Sequence, residues 1–281
     1  ISNPKKFQFN RDNRVFFVLI GIVFLTLGYF LFPTAYNKDL IQKEIKNQVF
    51  LKYQIRIEFN DKINYGLFPK PHFVAKNLSI FNDKKKIALA NNFKIFIGFK
   101  NFFKFDQIQI KYLIFNKLEF NIQKSDLNFF SSILKAEPNR QKLVIKNSSI
   151  FFLDKDEEVL FLNQINNSKF YFDFKNLKNI YSSKNKIFNV PYKITIKNDK
   201  LNQTSFTTLV LNKLKLKIEN QVNYRKENKI GFLKINFKNK NNLINYKLEK
   251  NSLDFSLEDS NKTYNGNIEF KPFYMVSNLS Y

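Results

Sequence analysis

The sequence has no cysteine and no tryptophan, and only one histidine, one methionine and six glycines among 281 residues. Without cysteine, disulfides, cysteine-ligated zinc and thiol nucleophiles are excluded together. The lone histidine, His72, sits between Pro71 and Phe73 and reads as a surface or turn imidazole. Acidic residues are scarce as well: 23 against 47 basic ones leave a net charge of +24. Arginine occurs only as Arg11, Arg14, Arg56, Arg140 and Arg225, so lysine carries almost all of the charge. Such a chain is attracted to phosphate-rich partners. The lysines are spread along it rather than gathered, as expected where lysine is simply the default surface residue of an AT-rich gene.

Motifs of catalysis are missing too. There is no G-x-S-x-G, P-loop, G-x-G-x-x-G or H-E-x-x-H. The densest acidic cluster is Asp154, Asp156, Glu157 and Glu158. A calcium loop opening at Asp154 would need glycine at 159 and glutamate at 165, where the chain has Val159 and Ile165. The cluster reads as a solvated hairpin turn. The expectation is a non-enzyme without cofactor or metal.

One long apolar run is present. Val15 to Phe32 carries no charge, and at about 1.5 Å per residue its helix spans roughly 27 Å, near bilayer thickness. The expected anchor residues include Val15, Phe16, Phe17, Leu19, Ile22, Leu25, Leu27, Phe30 and Phe32, with Pro33 ending the helix. Lys5, Lys6, Arg11 and Arg14 precede it, so the positive-inside tendency keeps residues 1–14 cytoplasmic and exports everything beyond. A cleaved signal peptide would have a shorter apolar core and an A-x-A-like site, unlike Phe32-Pro33-Thr34-Ala35-Tyr36.

From residue 37 onward the period is mostly two. Helical spacing is confined to two places. One is Asn37–Lys52, capped by Asn37, with Leu40, Ile41, Ile45 and Val49 on one stripe. The other is Ser125–Lys135, capped by Ser125, with Leu127, Phe130, Ile133 and Leu134 as its stripe. Elsewhere apolar and polar residues alternate, as in Leu118, Phe120, Ile122; Tyr192, Ile194, Ile196; Leu233, Ile235, Phe237; and Leu253, Phe255, Leu257. Clusters such as Asn239–Asn242 and Asp259–Lys262 separate them as hairpin turns would. This predicts a mainly β protein: one membrane helix, then a large antiparallel sheet with one dry face, and one or two short helices. The dry face either closes on itself as a sandwich or barrel or lines an open, curled trough. Lysines and aromatics fall on opposite faces, as in Lys169-Phe170-Tyr171-Phe172-Asp173-Phe174-Lys175, whereas nucleic-acid stacking needs both on one face. Nucleic acid is not an expected partner.

The order of elements up to about residue 122 resembles the N-terminal part of the AsmA family of bacterial envelope proteins. The matching residues are the anchor end Leu31-Phe32-Pro33 and Tyr65-Gly66-Leu67-Phe68-Pro69-Lys70-Pro71. Strand-like Phe73–Ile80, Ile95–Phe99, Phe105–Ile110 and Phe115–Ile122 follow, and Gly266–Phe273 is similar to a repeat edge of that family. The chain departs from it at Phe50-Leu51-Lys52-Tyr53, where a glycine is usual, and at Asn101-Phe102-Phe103-Lys104, in place of Leu-Leu-x-Gly.

The resemblance implies a periplasmic sheet curled into a trough over residues 37–281, held in the bacterial inner membrane, that handles phospholipid and serves lipid transport or outer-membrane biogenesis. About a dozen strands at ~4.8 Å would give roughly 60 Å of trough. The sequence opens on Ile1 rather than methionine and stops at Tyr281 inside an apolar pattern, so a longer parent protein is expected. The candidate groove lining is Ile108, Ile110, Leu118, Phe120, Ile122, Phe170, Phe172, Phe174, Leu214, Leu216, Leu253 and Phe255. Expected partners are the inner-membrane bilayer, phospholipid and other envelope proteins. The alternative function is an adaptor that assists outer-membrane protein assembly without carrying lipid.

Overall fold

In a computed structural model, residues 11–100, 102–129, 142–225, 228–238, 240–259 and 262–280 are described. Helix α1 (Arg11–Leu31) carries the apolar run, and its residues from Val15 to Leu27 are largely exposed, as for a helix that meets no protein. It starts inside the expected cytoplasmic tail. Pro33 does not stop it abruptly, because a 3-10 turn over Phe32–Ala35 continues the coil with Pro33 in its first turn, where no backbone N–H is needed. Among the described residues, 14–35 form the one helical stretch long and apolar enough to cross a membrane.

Helix α2 (Lys38–Tyr53) is capped as expected: the Asn37 Oδ1 accepts from the N–H groups of Asp39 (2.9 Å) and Leu40 (3.3 Å). Ile41, Ile45, Val49 and Tyr53 recur every fourth residue and are buried, whereas Leu40 faces solvent.

The remainder is one unclosed, sixteen-stranded sheet. Its first seven strands are β1 (Arg56–Phe59), β2 (Asn64–Gly66), β3 (His72–Asn82), β4 (Lys85–Ile97), β5 (Ile110–Ile122), β6 (Lys142–Leu153) and β7 (Val159–Asp173). Next come β8 (Lys178–Ile187), β9 (Val190–Asp199), β10 (Thr204–Leu211), β11 (Leu216–Asn223) and β12 (Lys229–Phe237). The last are β13 (Lys240–Leu248), β14 (Ser252–Asp259), β15 (Lys262–Phe270) and β16 (Phe273–Ser280). Strand order follows the chain from β3 to β16, with β1 and β2 both on β3. Every pair is antiparallel except β5 with β6. At ~4.8 Å per strand, β3 to β16 covers about 60 Å along the sheet.

Scarce glycine has a visible consequence. Twelve non-glycine residues adopt positive φ and no described glycine does. Several end hairpins, such as Asp83, Asn189 and Lys238. Three do something else. Asn77 (φ 51°), Lys117 (φ 54°) and Asn147 (φ 48°) lie inside β3, β5 and β6, where the pairing lapses. With Asn91 of β4 and Asn166 of β7 they form one transverse row of out-of-register residues over five strands. Each resets the alternation, so the buried face passes from Ala75 to Leu78 and from Phe115 to Leu118. Such irregularities bend and twist the strands that carry them.

The buried face of this creased part receives α2. Its stripe packs with Phe93, Phe115, Leu113, Ile95 and Leu78 in one core that extends to Phe170. Among the described residues no hydrophobic side chain beyond Phe170 is buried. The fold is therefore packed at β1–β7 and open at β8–β16.

Several sequence-based expectations change here. His72 is neither at the surface nor in a turn: it starts β3, is buried, stacks on Phe96 at 5.1 Å and shares a hydrogen bond with the Lys70 carbonyl (2.8 Å). Ser125 does not cap its helix. Gln123 and Asp126 form the capping box, because the Asp126 carboxylate also accepts from Lys85 Nζ (2.8 Å) and Asn82 (3.4 Å). Burial opposes ionisation of Asp126, yet those hydrogen bonds win and hold it below the ordinary carboxylate range. Phe129, not Leu127, is the buried residue of that segment, and residues 130–135 of the expected helix lie outside the described ones. Asn241 and Asn242 belong to β13, paired with Asn236 and Ile235, so that turn is shorter than the asparagine cluster. The Asp154–Glu158 cluster is a turn, with the Asp154 Oδ1 accepting from the N–H groups of Asp156 and Glu158, both 2.9 Å.

Candidate functional site

Residues paired across strands point to the same side of a sheet, so register alone traces its inner face. One row runs Phe73, Ile95, Leu113, Leu143, Phe170, Tyr181, Ile196, Thr207, Asn220, Leu233, Ile244, Leu257 and Tyr264, unbroken from β3 to β15. A parallel row runs Ala75, Phe93, Phe115, Ile145, Ser168, Ser183, Ile194, Leu209, Ile218 and Ile235. The sheet thus carries a nearly continuous apolar track across its strands, covered by α2 at one end and uncovered beyond β7.

Two cavities lie on this track. The first, about 250 Å³, is walled by Leu118, Phe120, Ile122, Leu143, Ile150, Phe152 and Phe170, with Phe129 over it. Its polar lining residues are Ser168 and Tyr181. The second, about 680 Å³, is formed by the inner face of β7–β12 and is more polar: Ile196 and Val222 share it with Asn179, Asn198, Ser205, Thr207, Gln203, Lys200 and Lys229. Phe170 and Tyr181 line both, so the two adjoin. The smaller cavity is almost wholly apolar and the larger one mixed, an arrangement that suits an amphiphile better than a wholly polar solute.

The inner face is less dry than alternation alone implies. Asn163, Asn198 and Asn220 sit on it, and each is met by a tyrosine hydroxyl from two strands along the order. Tyr192 donates to Asn163 (3.0 Å), Tyr224, just past the end of β11, to Asn198 (2.7 Å), and Tyr246 to Asn220 (2.7 Å). Burial pushes all three phenols above their ordinary value, so they remain protonated donors. Near this row Asp199 is held low, chiefly by the backbone and side-chain N–H groups of Asn202, with Lys178 at 3.5 Å. The signal in the sequence was an asparagine in phase with the apolar residues, for example Asn163 two before Ile165. Its tyrosine partner is about 26 to 29 residues away, beyond the reach of local pattern.

The expected lining residues divide into three groups. Leu118, Phe120, Ile122 and Phe170 line the smaller cavity, and Phe172, Leu216, Leu253 and Phe255 lie on the inner face by register. Ile108 and Ile110 are buried in the core beside α2, where Gln48 Nε2 donates to the Ile108 carbonyl (3.0 Å). They pack the fold instead of lining a groove. Phe174 and Leu214 are exposed, one in the turn after β7 and the other in a 3-10 turn over Asn212–Leu214, because each strand pattern stops short of them.

Phe255 pairs with Gly266, and Tyr246 with Gly231; each ring lies over its glycine. A β-carbon at Gly266 would collide with the Phe255 ring and approach the Val276 carbonyl to 2.9 Å. Gly266→Val should therefore expel the ring and cost about 1–3 kcal/mol, read as a lowered urea midpoint. A neutral substitution would mean the ring has room to swing away.

No family model matches the chain, and no curated protein matches its sequence. The site is therefore argued from its own residues. Among the described ones, no three His, Asp or Glu side chains gather in a way that could hold a metal ion.

Proposed function

We propose that this chain is an AsmA-like envelope protein, anchored by α1 in a bacterial inner membrane, whose β domain carries phospholipid acyl chains along its inner face. The observation that supports this best is the register-linked row from Phe73 to Tyr264, apolar or aromatic except at Thr207 and Asn220, open from β8 onward and joined to two adjoining cavities. Each methylene withdrawn from water onto such a surface gains about 0.8 kcal/mol, so a chain of a dozen or more carbons is held without any single specific contact. Headgroups stay at the open rim, near Lys200 and Lys229. Lys5, Lys6, Arg11 and Arg14 ahead of the span favour a cytoplasmic N-terminus and a periplasmic β domain. The role is binding and conveyance, in support of lipid transport or outer-membrane biogenesis, with no catalytic step.

The test is photolabelling of the full chain, reconstituted with a phospholipid bearing a diazirine in its acyl chain. Adducts are expected in peptides containing Phe170, Tyr181 and Ile196 as well as in α1. Adducts confined to α1 would leave only an anchor with its surrounding lipid, and the carrier reading would be abandoned.

A further inference from the structure

The end of α1 does not hang free of the β domain. Tyr29 stacks on Phe102 (5.2 Å) and meets Phe103 edge-on (5.2 Å), Phe30 meets Phe99 (5.8 Å), and Phe32 meets Phe103 (4.7 Å). Hydrogen bonds tie the same elements. Tyr29 donates to the Phe99 carbonyl (2.8 Å), Tyr65 to that of Phe30 (2.7 Å), and Tyr36 to that of Phe102. The β4–β5 segment from Gly98 is thus clamped to the last turn of the helix. The β2–β3 segment leaves the same sheet edge, since Gly66 pairs with His72, His72 with Phe96, and the Ile97 N–H donates to the Pro71 carbonyl (3.2 Å).

These two segments expose large aromatics: Phe68 is 83% exposed, Phe103 62% and Phe99 45%. The stretches 67–71 and 98–111 that carry them also hold Lys70, Lys100, Lys104 and Lys111, the last with Nζ 5.1 Å from the Phe99 ring centre, and a single acidic residue, Asp106. Exposed aromatics interleaved with lysines, at the level where an apolar helix runs out, have the composition of a bilayer–water interface.

We propose that the Phe68 and Phe99–Phe103 segments form a second membrane contact, with their rings among the upper acyl chains and their lysines on anionic headgroups of the leaflet from which α1 emerges. This rests on α1 spanning the bilayer: if residues 15–32 occupy it, whatever touches Tyr29, Phe30 and Phe32 lies at its surface. The contact, together with the clamp on α1, fixes the orientation of the first strands against the membrane, whereas a bare tether would let the domain tumble.

The absence of tryptophan makes the test clean. Single variants Phe68→Trp, Phe103→Trp, Phe24→Trp and Phe188→Trp are placed in the full chain in vesicles of mixed zwitterionic and anionic phospholipid with brominated acyl chains. Phe24 lies mid-helix, and Phe188 is 76% exposed in the β8–β9 turn. Quenching of about two-fold or more is expected at positions 24, 68 and 103, with blue-shifted emission, and none at 188. If 24 is quenched but 68 and 103 are not, the anchor stands and this contact is refuted. If 24 is not quenched, the span itself is wrong and the contact falls with it. Phe68 is so exposed that tryptophan there leaves the fold intact, as circular dichroism will verify.

Discussion

Leu209→Glu is expected to reduce acyl-chain photolabelling of the β8–β12 region by about ten-fold while leaving the sheet folded. Leu209 lies on the inner face between Ile194 and Ile218 and is only half-buried, so in the empty protein a carboxylate there keeps much of its water. An acyl chain laid along the track would have to strip that water, with no cation across the adjacent rungs to replace it. Withdrawal of the lipid from even two methylenes' worth of surface, at about 0.8 kcal/mol each, already amounts to a ten-fold loss. Thr195→Glu, on the opposite face and paired with Ser182 and Thr208, is the control and should change nothing. Equal loss from both variants, or from neither, would mean that lipid does not lie on this face.

Phe93→Ala should lower stability by about 3–5 kcal/mol, the largest single effect anticipated for an uncharged substitution. Phe93 has no exposed surface, stacks on Phe115 at 4.5 Å, and lies beneath Phe59 at 6.4 Å in the core closed by α2. Truncation leaves a cavity that a sheet pinned on both sides collapses into only in part. Leu209→Ala, on the same register row but beyond the packed part, should cost about 1 kcal/mol because it starts half-exposed. Urea unfolding of the two variants therefore measures where the core ends. Equal costs would contradict a core confined to β1–β7. The same geometry excludes Phe120 as a probe of lipid binding: it is 3% exposed, and a charge there would unfold β5 before it repelled a ligand.

Much of the architecture is legible in local pattern. The stretch Val15–Phe32 announces a helix with no polar face, and α1 leaves its residues from Val15 to Leu27 largely exposed. The Asn37 cap and the stripe Ile41, Ile45, Val49 predict α2, because capping and 3.6-residue periodicity are set within a few residues. Alternation marks β9, β12 and β14 for the same reason. The errors also have a common cause. His72, read as a surface imidazole, is buried by Phe96, twenty-four positions away. Ile108 and Ile110, read as groove, are covered by a helix sixty residues earlier in the chain. Asn77, Lys117 and Asn147 are unremarkable one at a time; only aligned across β3 to β7, together with Asn91 and Asn166, do they make a crease.

Composition and periodicity by themselves determined that this protein has an apolar helix, a long ladder of strands, a large excess of lysine and no thiol. Those properties need only neighbours in sequence, since hydration, backbone sterics and side-chain direction act over one or two turns or rungs. Tertiary structure decided where the apolar face is filled and where it stays open, which asparagines are answered by tyrosines, and that α1 is locked to the first strands. Each of these depends on which residues become opposite one another through pairing and docking across tens of positions, and a one-residue change of register would exchange the two faces.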